Sequence, residues 1–291
     1  MTSLASFRLD GARTLVTGAS RGIGKAVAVA LAQAGADLAL SARTSAALKE
    51  TARLVAEEGR TVALVPGDLA EPGTADAVVD DAAAQLGGLD VVVHNAGILP
   101  SRPDGSPTMD TLQDSDQDDW NRVLSVNLNA TAALCRRAHR HLVASPRAAV
   151  VLMSSLAGVV GTPRMEAYAA SKAAQISLAR SLAVGWARAG IRVNALCPGW
   201  TRTDMTAFAY STGPLSDWLM AHVPLGRWAE PHEVACAALY LASPAASYLT
   251  GQALVLDGGA CVADGGLAGI PKPPPRSPPD PITPRPEDCR P

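Results

Sequence analysis

The residues of this chain with the clearest capacity for chemistry are Ser155, which closes an apolar run, Tyr168, and Lys172 four positions further on. The i, i+4 step puts Tyr168 and Lys172 on one face of a helix. A cation beside a phenol stabilises the phenolate, so the Tyr168 pKa is expected to fall from about 10 toward neutrality. A phenol tuned in that way can hand a proton to a carbonyl oxygen or take one from an alcohol. Ser155, at the end of the strand-like run 148–153, can hold that oxygen in place.

A second chemical feature lies near the start, where Thr17-Gly18-Ala19-Ser20-Arg21-Gly22-Ile23-Gly24 joins an apolar run to a helix-like stretch. A strand feeding a glycine turn that opens a helix offers backbone N–H groups and a positive helix end to an anion such as a pyrophosphate. The spacing G-x-x-x-G-x-G is one residue wider than the common dinucleotide fingerprint. Taken alone, the turn suits a purely structural strand-to-helix connection as well. After the next strand-like run, 37–42, an NAD site usually offers a carboxylate to the adenine ribose; here Ser41 and Ala42 are followed by Arg43. Arg21 and Arg43 could converge on a 2′-phosphate, which favours NADP(H) and leaves NAD(H) possible, or could be two solvated surface arginines. Asp68, just past the third strand, can contact an adenine ring or cap a helix. Asn95 can bond the backbone of neighbouring strands, and Gly97 lets backbone approach a ligand.

The elements that must position these residues alternate strand-like and helix-like, the pattern of an α/β doubly wound parallel sheet with helices on both faces. Strands are expected at 14–16, 37–42, 61–65, 89–93, 148–153, 191–196 and 253–256. Helices are expected at about 22–34, 45–58, 72–86, 116–144 and 231–242, and Asn127 falls inside the fourth. Residues 98–119 read as a long polar loop on a rim or interface. Aromatic residues make up 4% of the chain, yet Phe208, Tyr210, Trp218 and Trp228 gather between a crevice loop and the last regular helix. That concentration suggests a substrate-covering lid, or else an oligomer contact or local packing. The expected domain spans residues 1–263. From 264 a tail follows in which ten of the residues 271–291 are proline, a disordered or polyproline-like composition.

Composition narrows the partners. With 291 residues, 48% hydrophobic and 18% charged, and a net charge of −2, the chain has a large core and no basic field for nucleic acid or anionic membrane. No apolar run reaches the length of a membrane span and the first residues lack a signal-like pattern, so a cytoplasmic location is expected. The five cysteines are widely separated and read as reduced thiols. His139 and His141 point to different helix faces, so no metal site is expected.

The order and spacing of these motifs resemble the short-chain dehydrogenase/reductase family over residues 8 to 262. Thr17 to Gly24 is similar to its TGxxxGxG cofactor loop, and His94 to Gly97 to its NNAG motif, with His94 in place of the first Asn. Asn127, Ser155, Tyr168 and Lys172 match its catalytic tetrad. Pro198, Gly199 and Thr203 resemble the loop that holds the nicotinamide amide, with Thr201 where an aliphatic residue is common. The resemblance implies a single Rossmann domain with a seven-stranded sheet, a homotetramer or dimer, and a small carbonyl or alcohol substrate. It implies Tyr168 as general acid/base, Lys172 as ribose ligand, Ser155 as carbonyl-orienting group and Asn127 as holder of a relay water. Cofactor contacts are implied for Gly18, Ser20, Arg21, Gly22, Ile23, Gly24, Arg43, Asp68, Leu69, Asn95, Ala96, Gly97, Tyr168, Lys172, Pro198, Gly199, Thr201 and Thr203. The run Pro224 to Pro231 resembles both 3-oxoacyl-thioester reductases and gluconate-type sugar-acid or polyol dehydrogenases. A dinucleotide-binding regulator without turnover is the alternative from another class, although such proteins typically lose tetrad members and none is lost here.

Overall fold

Short runs of Val, Leu and Ala, apolar on both faces, form the strands, as expected where helices cover a parallel sheet from both sides. In the computed structural model, which describes residues 3–102 and 106–262, these are β1 (Arg13–Thr17), β2 (Asp37–Ser41), β3 (Val62–Leu64), β4 (Val91–His94), β5 (Ala149–Met153), β6 (Arg192–Pro198) and β7 (Ala253–Leu256). They make one seven-stranded sheet in the order β3-β2-β1-β4-β5-β6-β7, parallel at every pairing. The helices are α1 (Gly22–Gln33), α2 (Ser45–Glu57), α3 (Thr74–Leu86), α4 (Gln117–Leu124), α5 (Ala130–Leu142), α6 (Glu166–Trp186), α7 (Ala207–Tyr210), α8 (Gly213–Ala221) and α9 (Pro231–Ala242).

The two-residue period of each strand divides the core. Val16, Leu40, Val93 and Val151 face α1, α2 and α9, where Val27, Leu31, Leu48 and Leu241 are buried. Leu15, Val92 and Val150 face α3, α5 and α6, meeting Val79, Leu134, Leu142 and Ala179. Strand order reverses at β1, whose neighbours are β2 and β4. Crossovers leave in opposite directions there, which opens a crevice at the carboxyl ends of β1 and β4. Thr17, His94 and, one strand further, Met153 therefore end at one edge.

The expected helix 116–144 is divided. α4 gives way to a π turn, Ser125–Asn129, where the Ala130 N–H reaches back to the Ser125 carbonyl, and α5 follows. The cause is tertiary: Asn127 is bonded on several sides by groups from other elements, and a π bulge at such a site accommodates them. In the 98–119 region an antiparallel bridge joins Ser101 and Pro107, a 3₁₀ turn covers Leu112–Asp114, and the Asp116 side chain accepts the Asp118 N–H at 2.6 Å to cap α4. The aromatic segment builds a small core of its own. Trp228 packs edge-on to Trp200 and Tyr210, at 5.6 and 5.8 Å between ring centroids, and its indole N–H donates to Ser216 Oγ at 2.9 Å. Trp218 stays 60% exposed. The proline-rich tail from 264 and Cys289 lie outside the described residues. Among the described residues no helix is long and apolar enough to cross a membrane.

Candidate active site

The glycine turn is built by close packing. Gly18 and Gly22 take φ of +65° and +53°, conformations that cost a side-chain-bearing residue. A Cβ on Gly18 would stand 2.9 Å from Ala96 Cα, and one on Gly24 only 2.1 Å from the Gly18 carbonyl oxygen. Asn95 Nδ2 donates to that carbonyl at 3.2 Å, the cross-strand bond expected from the sequence. Thr17 Oγ1 accepts the Asn95 and Ala96 N–H groups, each at 3.2 Å, so its own proton goes to His94 Nδ1 at 2.8 Å. His94 is fully buried, and burial together with the Lys172 charge draws its pKa down to about 3, so it stays neutral. At the helix start Arg21 occupies the N-cap position with extended backbone and no capping side chain, leaving the first N–H groups of α1 open to an anion. These open N–H groups at a helix start fit a pyrophosphate.

Across the crevice, Ser155, Tyr168, Lys172 and Asn127 come together from the end of β5, from α6 and from the π turn. Lys172 is 3% exposed and donates from Nζ to the Met153 carbonyl at 2.7 Å and to Gln175 Oε1 at 3.2 Å. Its ammonium lies over the Tyr168 ring, 5.5 Å from the centroid. Burial lowers the Lys172 pKa to about 8. The Tyr168 phenol departs from the sequence expectation: burial raises its pKa above the ordinary 10.0, and a hydrogen bond with Ser155 offsets only part of that rise. Desolvation prevails because the ammonium sits over the ring, with two of its three protons given to Met153 and Gln175. Ser155 Oγ also accepts the Ala157 N–H at 3.1 Å, which fixes its rotamer.

Asn127 is fully buried. Its Oδ1 accepts the Ile98 N–H at 2.8 Å, and its Nδ2 donates to the Ile98 carbonyl at 2.9 Å and to Ser171 Oγ at 3.1 Å. This amide pair clamps the chain just after Gly97. A Cβ on Gly97 would lie 3.2 Å from Lys172 Nζ and 3.4 Å from Asn127 Oδ1, so glycine keeps open the space beside both.

The loop after β6 folds back over the glycine turn. Gly199 passes so near β7's exit that a Cβ would meet Asp257 Cα at 2.6 Å, and Thr203 Cγ2 would lie 3.2 Å from a Cβ on Gly22. Thr201 is 2% exposed and donates to the Gly199 carbonyl at 3.1 Å. Thr206 Oγ1 accepts the Thr203 N–H at 3.1 Å. Arg21 Nη1 pairs with Asp204 at 3.1 Å, both side chains more than half exposed, a partner the sequence reading did not supply. Arg43 is exposed just beyond β2. Asp68 Oδ1 accepts the Ala70 N–H at 3.0 Å in a local turn, while the Leu69 side chain is buried in the core. Ile23 packs partly buried against the α1 side of the sheet, and Ser20 is half-buried in the turn.

Ser154, Ser171 and Gln175 belong to the site and were not singled out in the sequence, where Thr17 stood only as the first residue of the glycine turn. Ser154 Oγ donates to the Lys172 carbonyl at 2.8 Å, tying β5 to α6. The signal for Gln175 was present: it lies seven residues after Tyr168 and three after Lys172, on the same helix face. His139 stacks on Trp186 at 4.8 Å and His141 faces Asp80 at 3.5 Å, on different sides of α5.

A doubly wound parallel sheet, a glycine cradle at its switch point and a buried Tyr-Lys pair beside it define a class, the nucleotide-cofactor oxidoreductases. Residues 18–261 match the family model described as Enoyl-(Acyl carrier protein) reductase. The chain is 34% identical over 260 residues to gluconate 5-dehydrogenase of Gluconobacter oxydans, covering 88% of this chain and 97% of that relative. It is 40% identical over 258 residues to galactitol 2-dehydrogenase (L-tagatose-forming) of Cereibacter sphaeroides, covering 87% and 96%. The crystal structure of a gluconate 5-dehydrogenase from Burkholderia cenocepacia in complex with NADP and tartrate superimposes with a TM-score of 0.82 at 34% identity, covering 90% of this chain and 99% of that one. The chain belongs to the short-chain dehydrogenase/reductase family and is an oxidoreductase of that family.

Proposed function

We propose that this protein is an NADP(H)-dependent dehydrogenase that interconverts a secondary alcohol and a ketone on a small polyhydroxylated substrate, a sugar acid or polyol of the gluconate type. The observation that carries the chemistry is the buried constellation of Ser155, Tyr168 and Lys172, closely approached by the backbone of Gly97. When bound, the nicotinamide supplies or accepts the hydride. Tyr168 gives its proton to the carbonyl oxygen in reduction and takes it back in oxidation. Ser155 donates to the same oxygen, fixing the approach. Lys172 has three donors, of which Met153 and Gln175 take two, and the third serves a cofactor ribose hydroxyl. With a substrate or cofactor hydroxyl in place, the ammonium stabilises the phenolate as the sequence suggested. Asn127, through its clamp on Ile98, sets the chain that carries Gly97.

Gly18, Ser20, Gly22, Ile23 and Gly24 would cradle the pyrophosphate, with Arg21 and Arg43 beside the 2′-phosphate of NADP(H). Asp68 and Leu69 would border the adenine, Asn95, Ala96 and Gly97 the ribose, and Pro198, Gly199, Thr201 and Thr203 the nicotinamide amide. The names of the relatives, gluconate 5-dehydrogenase and galactitol 2-dehydrogenase, support the polyhydroxylated substrate class over the 3-oxoacyl thioester. The same reading includes a cytoplasmic homo-oligomer, on the charge balance and the family resemblance.

The test measures NADPH and NADH oxidation against a keto-sugar acid, a keto-polyol, a 3-oxoacyl thioester and simple ketones, for the parent protein and for Tyr168→Phe. We expect preference for NADPH with the keto-sugar acid or keto-polyol, and a fall of at least about a hundredfold in Tyr168→Phe. Near-parent turnover in that variant would overturn the role of Tyr168, and preference for the thioester would overturn the substrate class.

A further inference from the structure

Gln175 lies on α6 one turn beyond Lys172, has no exposed surface, and uses its amide at both ends. Its Oε1 accepts from Lys172 Nζ at 3.2 Å, while its Nε2 donates to the Asn127 carbonyl at 2.7 Å and to Thr131 Oγ1 at 3.0 Å. Thr131 Oγ1 donates in turn to the same Asn127 carbonyl at 2.7 Å. The partners dictate the amide's orientation. An ammonium only donates and a carbonyl only accepts, so the reversed amide would set donor against donor and acceptor against acceptor. Asn127 belongs to the π turn between α4 and α5, so the bridge ties the ammonium to an element other than the one that carries it.

A lysine ammonium is a compact charge on a flexible stem with four rotatable bonds. Here two acceptors on separate elements, Met153 on β5 and Gln175 held by the π turn, determine where Nζ rests. We propose, on the footing of the acid/base reading of Tyr168 above, that Gln175 is a positioning residue of the reaction: its direct bridge from Lys172 Nζ to the Asn127 carbonyl holds the ammonium beside Tyr168.

The groups around Lys172 make this bridge consequential. Tyr168 faces it from α6, His94 from β4 and Cys197 from β6. Burial keeps His94 neutral and raises the Cys197 thiol, so neither supplies an anion to balance the ammonium at neutral pH. Neutral acceptors do that work. With a cofactor ribose hydroxyl linking the ammonium to the phenol, removing Gln175 Oε1 disfavours the charged lysine and with it the phenolate, so Tyr168 ionises at higher pH in the cofactor-loaded protein.

The experiment is a pH titration of tyrosinate by ultraviolet difference absorbance on the full protein saturated with NADP+, with Tyr168→Phe as blank, alongside the pH profile of kcat/KM for alcohol oxidation at saturating NADP+. Gln175→Met fills similar volume without the acceptor. We expect it to shift the Tyr168 titration and the acid limb of the rate profile upward by about one pKa unit, the size of one hydrogen bond to a charged group. Gln175→Glu keeps an oxygen toward Lys172 and is expected to titrate at or below the parent. If Gln175→Met does not fold, Gln175→Asn, too short to span both partners, carries the same expectation. A folded Gln175→Met or Gln175→Asn with the parent titration and rate profile would overturn the proposal and leave Gln175 a packing residue. Failure of the acid/base reading gives a different result, namely turnover that survives in Tyr168→Phe.

Discussion

Replacing Gly24 with alanine should destabilise this protein, although alanine is the better helix former. Gly24 lies in the first turn of α1 and is not among the glycines with positive φ, so the backbone alone would accept the exchange. In an unhindered helix the exchange stabilises by about 1 kcal/mol. The surroundings reverse the sign. An ideal Cβ at this position falls 2.1 Å from the Gly18 carbonyl oxygen and 2.5 Å from Asn95 Nδ2, where ordinary contact begins at 3.4 Å. The carbonyl would have to retreat by more than an ångström, breaking the Asn95 Nδ2 to Gly18 bond of 3.2 Å. Overpacking costs about 1–3 kcal/mol and the lost hydrogen bond about 1 more, which outweighs the propensity gain. The expected net loss is about 1–3 kcal/mol, or a fall in Tm of roughly 2–10 °C for a domain of this size. Because the displaced carbonyl belongs to the glycine turn proposed to cradle the phosphates, NADP(H) affinity should also drop by about tenfold or more. Gly185→Ala on α6 is the control, since no atom lies within 4 Å of its Cβ and only the stabilising term applies. Thermal unfolding of both variants and calorimetric titration with NADPH decide the matter. A Gly24→Ala protein as stable as Gly185→Ala, with parental NADPH affinity, would refute the close approach of α1 to β1 and β4 on which the cradle rests.

Asp90 joins β1 to β4. Burial pushes its carboxyl up, but hydrogen bonds from Arg13 and Ser145, at 2.6–2.9 Å, outweigh that and hold it at about 2. A depressed pKa contributes stability above the unfolded value near 3.8 and loses it as pH falls through about 2. Asp90→Asn should therefore cost about 2 kcal/mol at neutral pH, with a gap to the parent that narrows below about pH 4. Urea unfolding at pH 7 and pH 3 tests this, and a gap of equal size at both would refute it. Arg43→Ala is expected to lower kcat/KM for NADPH about tenfold and leave NADH unchanged, since a guanidinium on a 2′-phosphate is a charge-assisted contact. Equal losses with both cofactors would remove Arg43 from that role. Trp228→Ala removes the centre of the small aromatic core, so limited proteolysis within 207–221 should quicken by about tenfold or more and substrate KM should rise. Unchanged cleavage would show that α7 and α8 are held by other contacts.

Much of the site was legible because its signals are local. Tyr168 and Lys172 are one helical turn apart, Ser155 ends an apolar strand, and Gly18, Gly22 and Gly24 punctuate a strand-to-helix turn. Strand positions followed from runs buried on both faces, and their edges shifted by at most two residues because β3, β4 and β6 end where a neighbour's pairing stops. The division of the 116–144 helix was not legible. Its periodicity continues through the π turn, and the bonds that produce it come from Ile98 and Gln175, remote in sequence.

The sequence by itself determined the alternation of strands and helices, the parallel sheet that follows from it, and the spacing of Ser155, Tyr168 and Lys172 that makes them the candidate acid/base trio, all properties of spacing within one element or between neighbours. Only the tertiary structure decided which way the Tyr168 pKa moves, what Lys172 and Asn127 hold, that Arg21 meets Asp204, and that the aromatic segment makes its own core. The physical reason is that desolvation and side-chain hydrogen bonding depend on which elements the sheet order brings together, and a residue's chain neighbours do not record that.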